Sequence, residues 1–280
     1  MKQLFYTCIV LLISNSLTAQ SLKPWKVGLP AGKQFNVLTT MNAKISQEVM
    51  GQHIDIDMDV NTTDSVLVKS ETNNSFNLSK VTAKMKMNMT AMGKEVNFDS
   101  DKKEDMESEM GQKLKEKLGV AVEATVNEKG QVKILSEKKE ENAADAMSSI
   151  MPMNNDSAAV AGLFLIPPQQ SLKQGESWKD SVSSPEMSIL NTYTFDKTEN
   201  GIANISFSTV SNTTGTATTN GMEVTVKLKT ETSGTLKVST KTGLVLERKA
   251  TMKMEGTSEV MGMQIPITGT STMATTTAEF

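Results

Sequence analysis

The sequence predicts an α+β fold: one strongly curved antiparallel sheet of about ten strands, with about three helices packed on its concave side. Three observations predict it. Apolar and polar residues alternate with period two through residues 33–100 and again through 175–278. Between them, residues 102–166 switch to a helical period. One hairpin phrase also recurs near both ends, in Glu48–Ile56, Ala91–Phe98 and Glu259–Ile267. In each copy a glycine (Gly51, Gly93, Gly262) supplies the positive φ of a tight turn, and apolar residues follow three and five positions later. The incoming strands keep that parity through Met41, Ala43 and Ile45, through Met85, Met87 and Met89, and through Met252 and Met254. The two strand-rich halves are expected to join into one sheet, the alternative being two sequential sheets packed face to face.

Residues 1–19 read as a secretory signal peptide: Lys2, an apolar run from Leu4 to Ile13, and a small residue, Ala19, before polar sequence. Cleavage near Ala19 would remove Cys8, the only cysteine, which lies inside the apolar run and not at its end as a lipidated cysteine would. It would also take the formal charge from −3 to −4, since Lys2 is the only charged residue lost. A mildly acidic chain of this kind argues against a nucleic-acid partner. No other apolar stretch is long enough to span a membrane, so the expected location is secreted or periplasmic.

Residues 20–32 form an irregular lead-in punctuated by Pro24 and Pro30, and residues 33–280 form a single β-rich domain. Ile54, Ile56, Met58 and Val60 alternate with Asp55, Asp57 and Asp59, which marks an antiparallel strand with one wet face. Met106, Met110, Leu114 and Leu118, spaced by four amid Lys and Glu, predict an amphipathic helix ended by Gly119. A hairpin over Asn127–Gly130 follows, then a helix over Lys138–Met151 and an almost wholly apolar one over Asp156–Ile166, stopped by Pro167-Pro168. Strands resume at Gly175, and Thr213–Thr219 is expected to be a loop or frayed strand.

The signal peptide, the strand-rich first part, the central helices and Ile166-Pro-Pro…Lys173-Gln-Gly-Glu-Ser-Trp178 resemble an uncharacterised family of secreted Bacteroidota proteins. More distantly the layout is similar to the lipoprotein-carrier type (LolA and the mycobacterial LppX group). That resemblance implies a half-barrel closed by helices around an apolar cavity.

Catalytic chemistry finds little footing. His53 is the only histidine and sits beside a hairpin turn; Gly175-Glu-Ser177-Trp lacks the second glycine of a nucleophile elbow; phosphate-loop and dinucleotide motifs are absent. Asp55, Asp57 and Asp59 lie on one strand face at roughly 7 Å intervals, fanned out and not convergent on one ion. The terminal Phe280 resembles the end of an outer-membrane strand, but aromatics make up only 4% of the chain, too few for the girdles such barrels need.

Methionine is the distinctive feature, with 20 residues in the chain. Thioether side chains adapt to varied apolar partners. Met85, Met87, Met89, Met252 and Met254 on the sheet, Met106 and Met110 on the first helix, and Phe164 on the third are therefore the candidate ligand-binding residues. The expected function is non-enzymatic binding of a lipid or other apolar small molecule between sheet and helices, with no cofactor and no metal. The alternative is a structural or protein-interaction module whose Met-rich core is filled. The sequence names no protein partner.

Overall fold

The computed structural model describes residues 21–49, 52–115, 117–135, 156–219 and 222–279. The strands are β1 (Ser21–Leu22), β2 (Gln34–Val49), β3 (Gln52–Thr72), β4 (Ser75–Ala91), β5 (Lys94–Asp99), β6 (Ala121–Asn127), β7 (Val132–Ile134), β8 (Leu172–Lys173), β9 (Ser177–Ser183), β10 (Met187–Glu199), β11 (Ile202–Thr219), β12 (Met222–Ser239), β13 (Val245–Val260) and β14 (Met263–Glu279). Three short helices interrupt them: α1 (Lys103–Glu107), α2 (Glu109–Leu114) and α3 (Asp156–Ala161). Twelve strands form one sheet in the order β7-β6-β4-β3-β2-β14-β13-β12-β11-β10-β9, with β5 beside the far part of β4. β1 and β8 make a separate two-stranded ribbon.

The seam between the halves is the pairing of β14 with β2, which runs from Ile267–Gln47 to Glu279–Phe35. That pairing settles the single sheet over two stacked ones. Alternation then works as expected: Phe35, Val37, Met41, Ala43 and Ile45 of β2 are all buried on one face. The described two-residue hairpins close at Thr72–Ser75, Ala91–Lys94, Glu199–Ile202 and Val260–Met263. Such short connections keep the register from slipping.

The sheet is strongly curled. Val27 N–H donates to Glu128 O at 2.8 Å, in the β6–β7 turn, and Gly28 N–H donates to Thr242 O at 3.3 Å, in the β12–β13 turn. In a flat sheet at about 4.8 Å per strand those turns would stand more than ~20 Å apart. Adjacent residues of the lead-in bridge them, so the sheet curls on itself at this end, here called the base. The opposite end carries the β4–β5 and β13–β14 hairpins and is called the tip.

The base is tightly packed. One cluster joins Val27, Leu29, Phe35, Val66, Val68, Leu78, Val126, Val160, Phe164 and Leu244; a second joins Leu22, Trp25, Leu165, Tyr193, Phe195, Ile205 and Val238. The predicted lead-in is thus irregular in backbone but plugs the base. Trp25 and Val27 lie against Gly243, where an added Cβ would meet them at 3.0–3.1 Å.

Several expectations are corrected. The protein is mainly all-β and not α+β, with twelve strands in the main sheet. The first helix breaks at Ser108, whose hydroxyl accepts from Gly111 N–H at 3.1 Å and starts a new helix. Gly111 is needed there because a Cβ would sit 2.2 Å from Asp105 O. The third helix ends at Ala161 because the β12–β13 turn captures the chain that follows. Val245 N–H donates to Leu163 O at 2.8 Å, and Phe164 bridges Leu244. Thr213–Thr219 belongs to β11, paired with β12 as far as Thr219–Met222, as β-branched residues favour. The helix expected over Lys138–Met151 lies outside the described residues.

An ion pair is buried inside the curl: Lys80 Nζ and Asp64 Oδ1 are 3.4 Å apart, with side chains 6% and 12% exposed. Thr82 Oγ1 donates to the same carboxylate oxygen at 2.6 Å. Lys80→Met strands that carboxylate and is expected to cost about 3–5 kcal/mol in urea unfolding. Asp64→Leu/Lys80→Met should recover most of the loss; a single variant no less stable than wild type would show that the pair contributes nothing.

Candidate functional site

The inner face of the tip half is where the methionines gather. Register sets two rows across the sheet. One runs Thr232, Met252, Ser271, Ala43, Met58, Met89; the next runs Thr230, Met254, Gly269, Ile45, Ile56, Ala91. On the β3–β5 side, α1 and α2 lay Met106, Met110 and Leu114 over Met41, Met58, Val60, Met85, Met87 and Phe98. On the other side Ile45, Ile56, Val224, Val226 and Ile267 pack with Ile54, Met89, Leu228, Met254 and Val260, and no described helical residue joins that cluster. The result is an apolar strip flanked by helices on one side and half open along β13.

Two glycines shape the strip. Gly269 has no side chain, and Met254 lies in its place: a Cβ on Gly269 would be 2.9 Å from Met254 Cε. Leu228 does the same over Gly256, its Cδ2 at 2.9 Å from the position of a Cβ. What remains between Met41, Ala43, Ile45, Met58, Met252 and Met254 is a hollow of about 30 Å³, room for a water or two. Ser271 Oγ is buried beside it with no hydrogen-bond partner.

The candidate residues therefore separate into groups. Met85, Met87, Met106 and Met110 share one cluster; Met89 and Met254 share the next; Met252 borders the hollow. Phe164 sits in the base core, away from them. Gly269 and Ser271 were not anticipated, since period-two reading counts them merely as gaps in an apolar face. Met41 and Met58 carry the right parity and belong with the site.

The outer face is different in kind. Asp55, Asp57 and Asp59 are all exposed there, with Lys44 Nζ 3.3 Å from Asp57 and Asn42 donating to Asp59. A wide polar hollow of about 560 Å³ runs past Asp57, Asp59, Lys86, Glu95 and Asp99. The Lys86 ammonium, 2.9 Å away, holds the Asp99 carboxyl below its usual range. Among the described residues no group of three His, Asp or Glu side chains could hold a metal. A face carrying Lys84, Lys86, Lys227, Lys229, Lys249 and Lys253 is unsuited to hydrocarbon, where each charge near mid-membrane costs about 2–4 kcal/mol. No described helix is long and apolar enough to cross a membrane.

Near the base, the Gly-Glu-Ser-Trp stretch has a structural part. Glu176 accepts from Lys173 N–H at 2.7 Å, closing the turn, and Trp178 Nε1 donates to Ile166 O at 3.2 Å while its ring lies 5.1 Å from Tyr193. Arg248 reaches inward to donate to Gly162 O at 3.1 Å, its guanidinium 5.9 Å above Phe207. Asn191 donates to Asp180 at 2.6 Å and accepts from Thr209 at 2.7 Å. Burial pushes the Asp180 carboxyl above its ordinary value of 3.8.

The curled antiparallel sheet with an apolar inner strip defines the structural class. Within it, the chain belongs to a family of unknown function, DUF6263, whose model matches residues 73–245. No curated protein matches the chain in sequence. Lipovitellin, in a structure described for its lipid–protein interactions, is similar in fold at a TM-score of 0.50 and 9% identity, over 90% of this chain and 25% of its own. The chain thus spans about a quarter of lipovitellin. An outer-membrane channel from Pseudomonas putida F1 matches at a TM-score of 0.26 and 7% identity, over 90% of this chain and 97% of the channel. Salmonella typhi OmpF matches at 0.24 and 8%, over 91% and 100%. At those scores the channels carry no argument, and lipovitellin's likeness is one of fold.

Asp180 makes a pH prediction. The folded state holds this proton more tightly than the unfolded chain, so stability is gained on acidification through the raised pKa and lost above it. Asp180→Asn should raise the Tm at neutral pH and remove that part of the gain seen on mild acidification. Parallel Tm–pH curves for variant and wild type would contradict it.

Proposed function

We propose that this is an exported, non-enzymatic protein that holds a lipid or other apolar small molecule on the inner strip near the tip. The observation that carries the reading is the half-open strip itself, floored by Met252 and Met254 against Met41 and Met58. A hollow of about 30 Å³ does not seat such a ligand, which calls for several hundred. Binding therefore requires the thioethers to swing aside. Three rotatable bonds allow Met254 to do so, and its departure from Gly269 opens the groove down to backbone. A fold shared with lipovitellin supports the reading without supplying it.

The filled module is the second reading, and the same contact favours it: Met254 over Gly269 closes the core with no ligand at all. The two separate experimentally. In the protein recovered from a Gram-negative periplasm, native mass spectrometry is expected to show cleavage near Ala19 and an extractable mass of a few hundred daltons or more. Met252→Lys should abolish uptake of a fluorescent fatty acid while leaving the fold intact by circular dichroism. A clean apo mass with no uptake by the wild type would leave the filled module standing.

A further inference from the structure

The hairpins at the two ends of the sheet have the same geometry but different residues. At the base, Asn73-Asn74 and Asn200-Gly201 have φ of 51° and 59°, and of 50° and 76°. At the tip, Met92-Gly93 and Met261-Gly262 have φ of 52° and 72°, and of 52° and 79°. All four are two-residue loops with positive φ at both positions, the turn whose twist suits a hairpin. Asn tolerates that conformation because its short amide bonds to the local backbone. Met has no such compensation. It is also left in water: Met92 is 72% exposed and Met261 76%, with Met263 beside it at 48%. Among the described hairpins, the sheet places an apolar side chain where folding favours a polar one at both tip turns and at neither base turn.

We infer that Met92, Met261 and Met263 form a contact by which the tip inserts into a neutral lipid surface. Three arguments select that occupant. The tip residues continue the inner strip, since Met263 pairs with Val260, and Ala91, next to Met92, lies in the same cluster as Val260. Their area is small: three projecting side chains fall far short of the ~1,200 Å² of a specific protein interface, whereas interfacial insertion uses a few side chains entering about 5–10 Å. Charge then chooses the lipid. Among the described residues of these two hairpins and the adjoining end of β2, Glu48, Glu95 and Glu259 are exposed against Lys94, which disfavours an anionic bilayer. The inference rests on turn conformation and exposure and holds whether or not the inner strip takes a ligand.

Flotation of the full chain with phosphatidylcholine vesicles tests it, with phosphatidylglycerol vesicles alongside. The wild type should float with phosphatidylcholine and less with phosphatidylglycerol. Met92→Asn/Met261→Asn gives both turns their preferred residue, so its Tm should equal or exceed that of the wild type while vesicle affinity falls at least about tenfold. Met92→Leu/Met261→Leu should keep the affinity. Because the Asn variant is expected to be no less stable, lost binding cannot be put down to unfolding. A wild type that ignores phosphatidylcholine or prefers phosphatidylglycerol overturns the inference. So does an Asn variant that floats unchanged or melts lower, and so does a Leu variant that no longer binds. Fatty-acid uptake reads the strip and flotation reads the tip, so either can fail alone.

Discussion

Closure of the base is the constraint on which the rest depends. A twelve-stranded antiparallel sheet left open would expose its whole apolar face, and natural twist alone does not bury it. Here the lead-in ties the β6–β7 turn to the β12–β13 turn through Val27 and Gly28, and the chain after α3 docks on Leu244 and Val245. Both contacts draw in strands that are distant in sheet order, and the curl follows. With the base closed, Phe195, Ile205, Val66, Val68 and Val238 lose all contact with water. Toward the tip nothing comparable is described, and the inner face grades from fully buried to half exposed.

That gradient accounts for where methionine is used. At the base, geometry is fixed by hydrogen bonds and the core is built from Val, Leu, Ile and Phe, whose shapes are rigid. At the tip, Gly256 and Gly269 leave gaps in the inner face that Leu228 and Met254 fill. A flexible thioether fills such space without demanding one backbone arrangement, as Met254 does over Gly269. The same property makes the tip half the part of the core that a ligand could enter, because side-chain rotation there does not break a hydrogen bond.

Much of this was legible in the sequence. Period two located both faces of nearly every strand, and the repeated Met-Gly phrase located the described tip hairpins at Gly93 and Gly262, while the turn at Gly51 lies outside the described residues. The helices were less legible because spacing by four cannot see Ser108, which ends one helix by capping the next. Nor can it see that the carbonyl of Leu163 is claimed by Val245, a contact between residues far apart in the chain. Phe164 lies apart from the methionines for that reason: its apolar neighbours mark burial, but the β12–β13 turn decides which core it enters. The curl itself was expected from strand count, while its cause, two consecutive amides of an irregular segment, leaves no periodic trace.

The repeated phrase carries one further consequence for how the molecule is divided. A hairpin turn needs only positive φ at two positions, and Asn73-Asn74 and Asn200-Gly201 show that this sheet meets the requirement in the ordinary way at its base. Met92 and Met261 meet it at a conformational cost and with an apolar side chain in water. Turn conformation alone does not favour them, since Asn fits both positions better. The base is therefore organised for stability and the tip for contact, and the inner strip is the apolar path between the two.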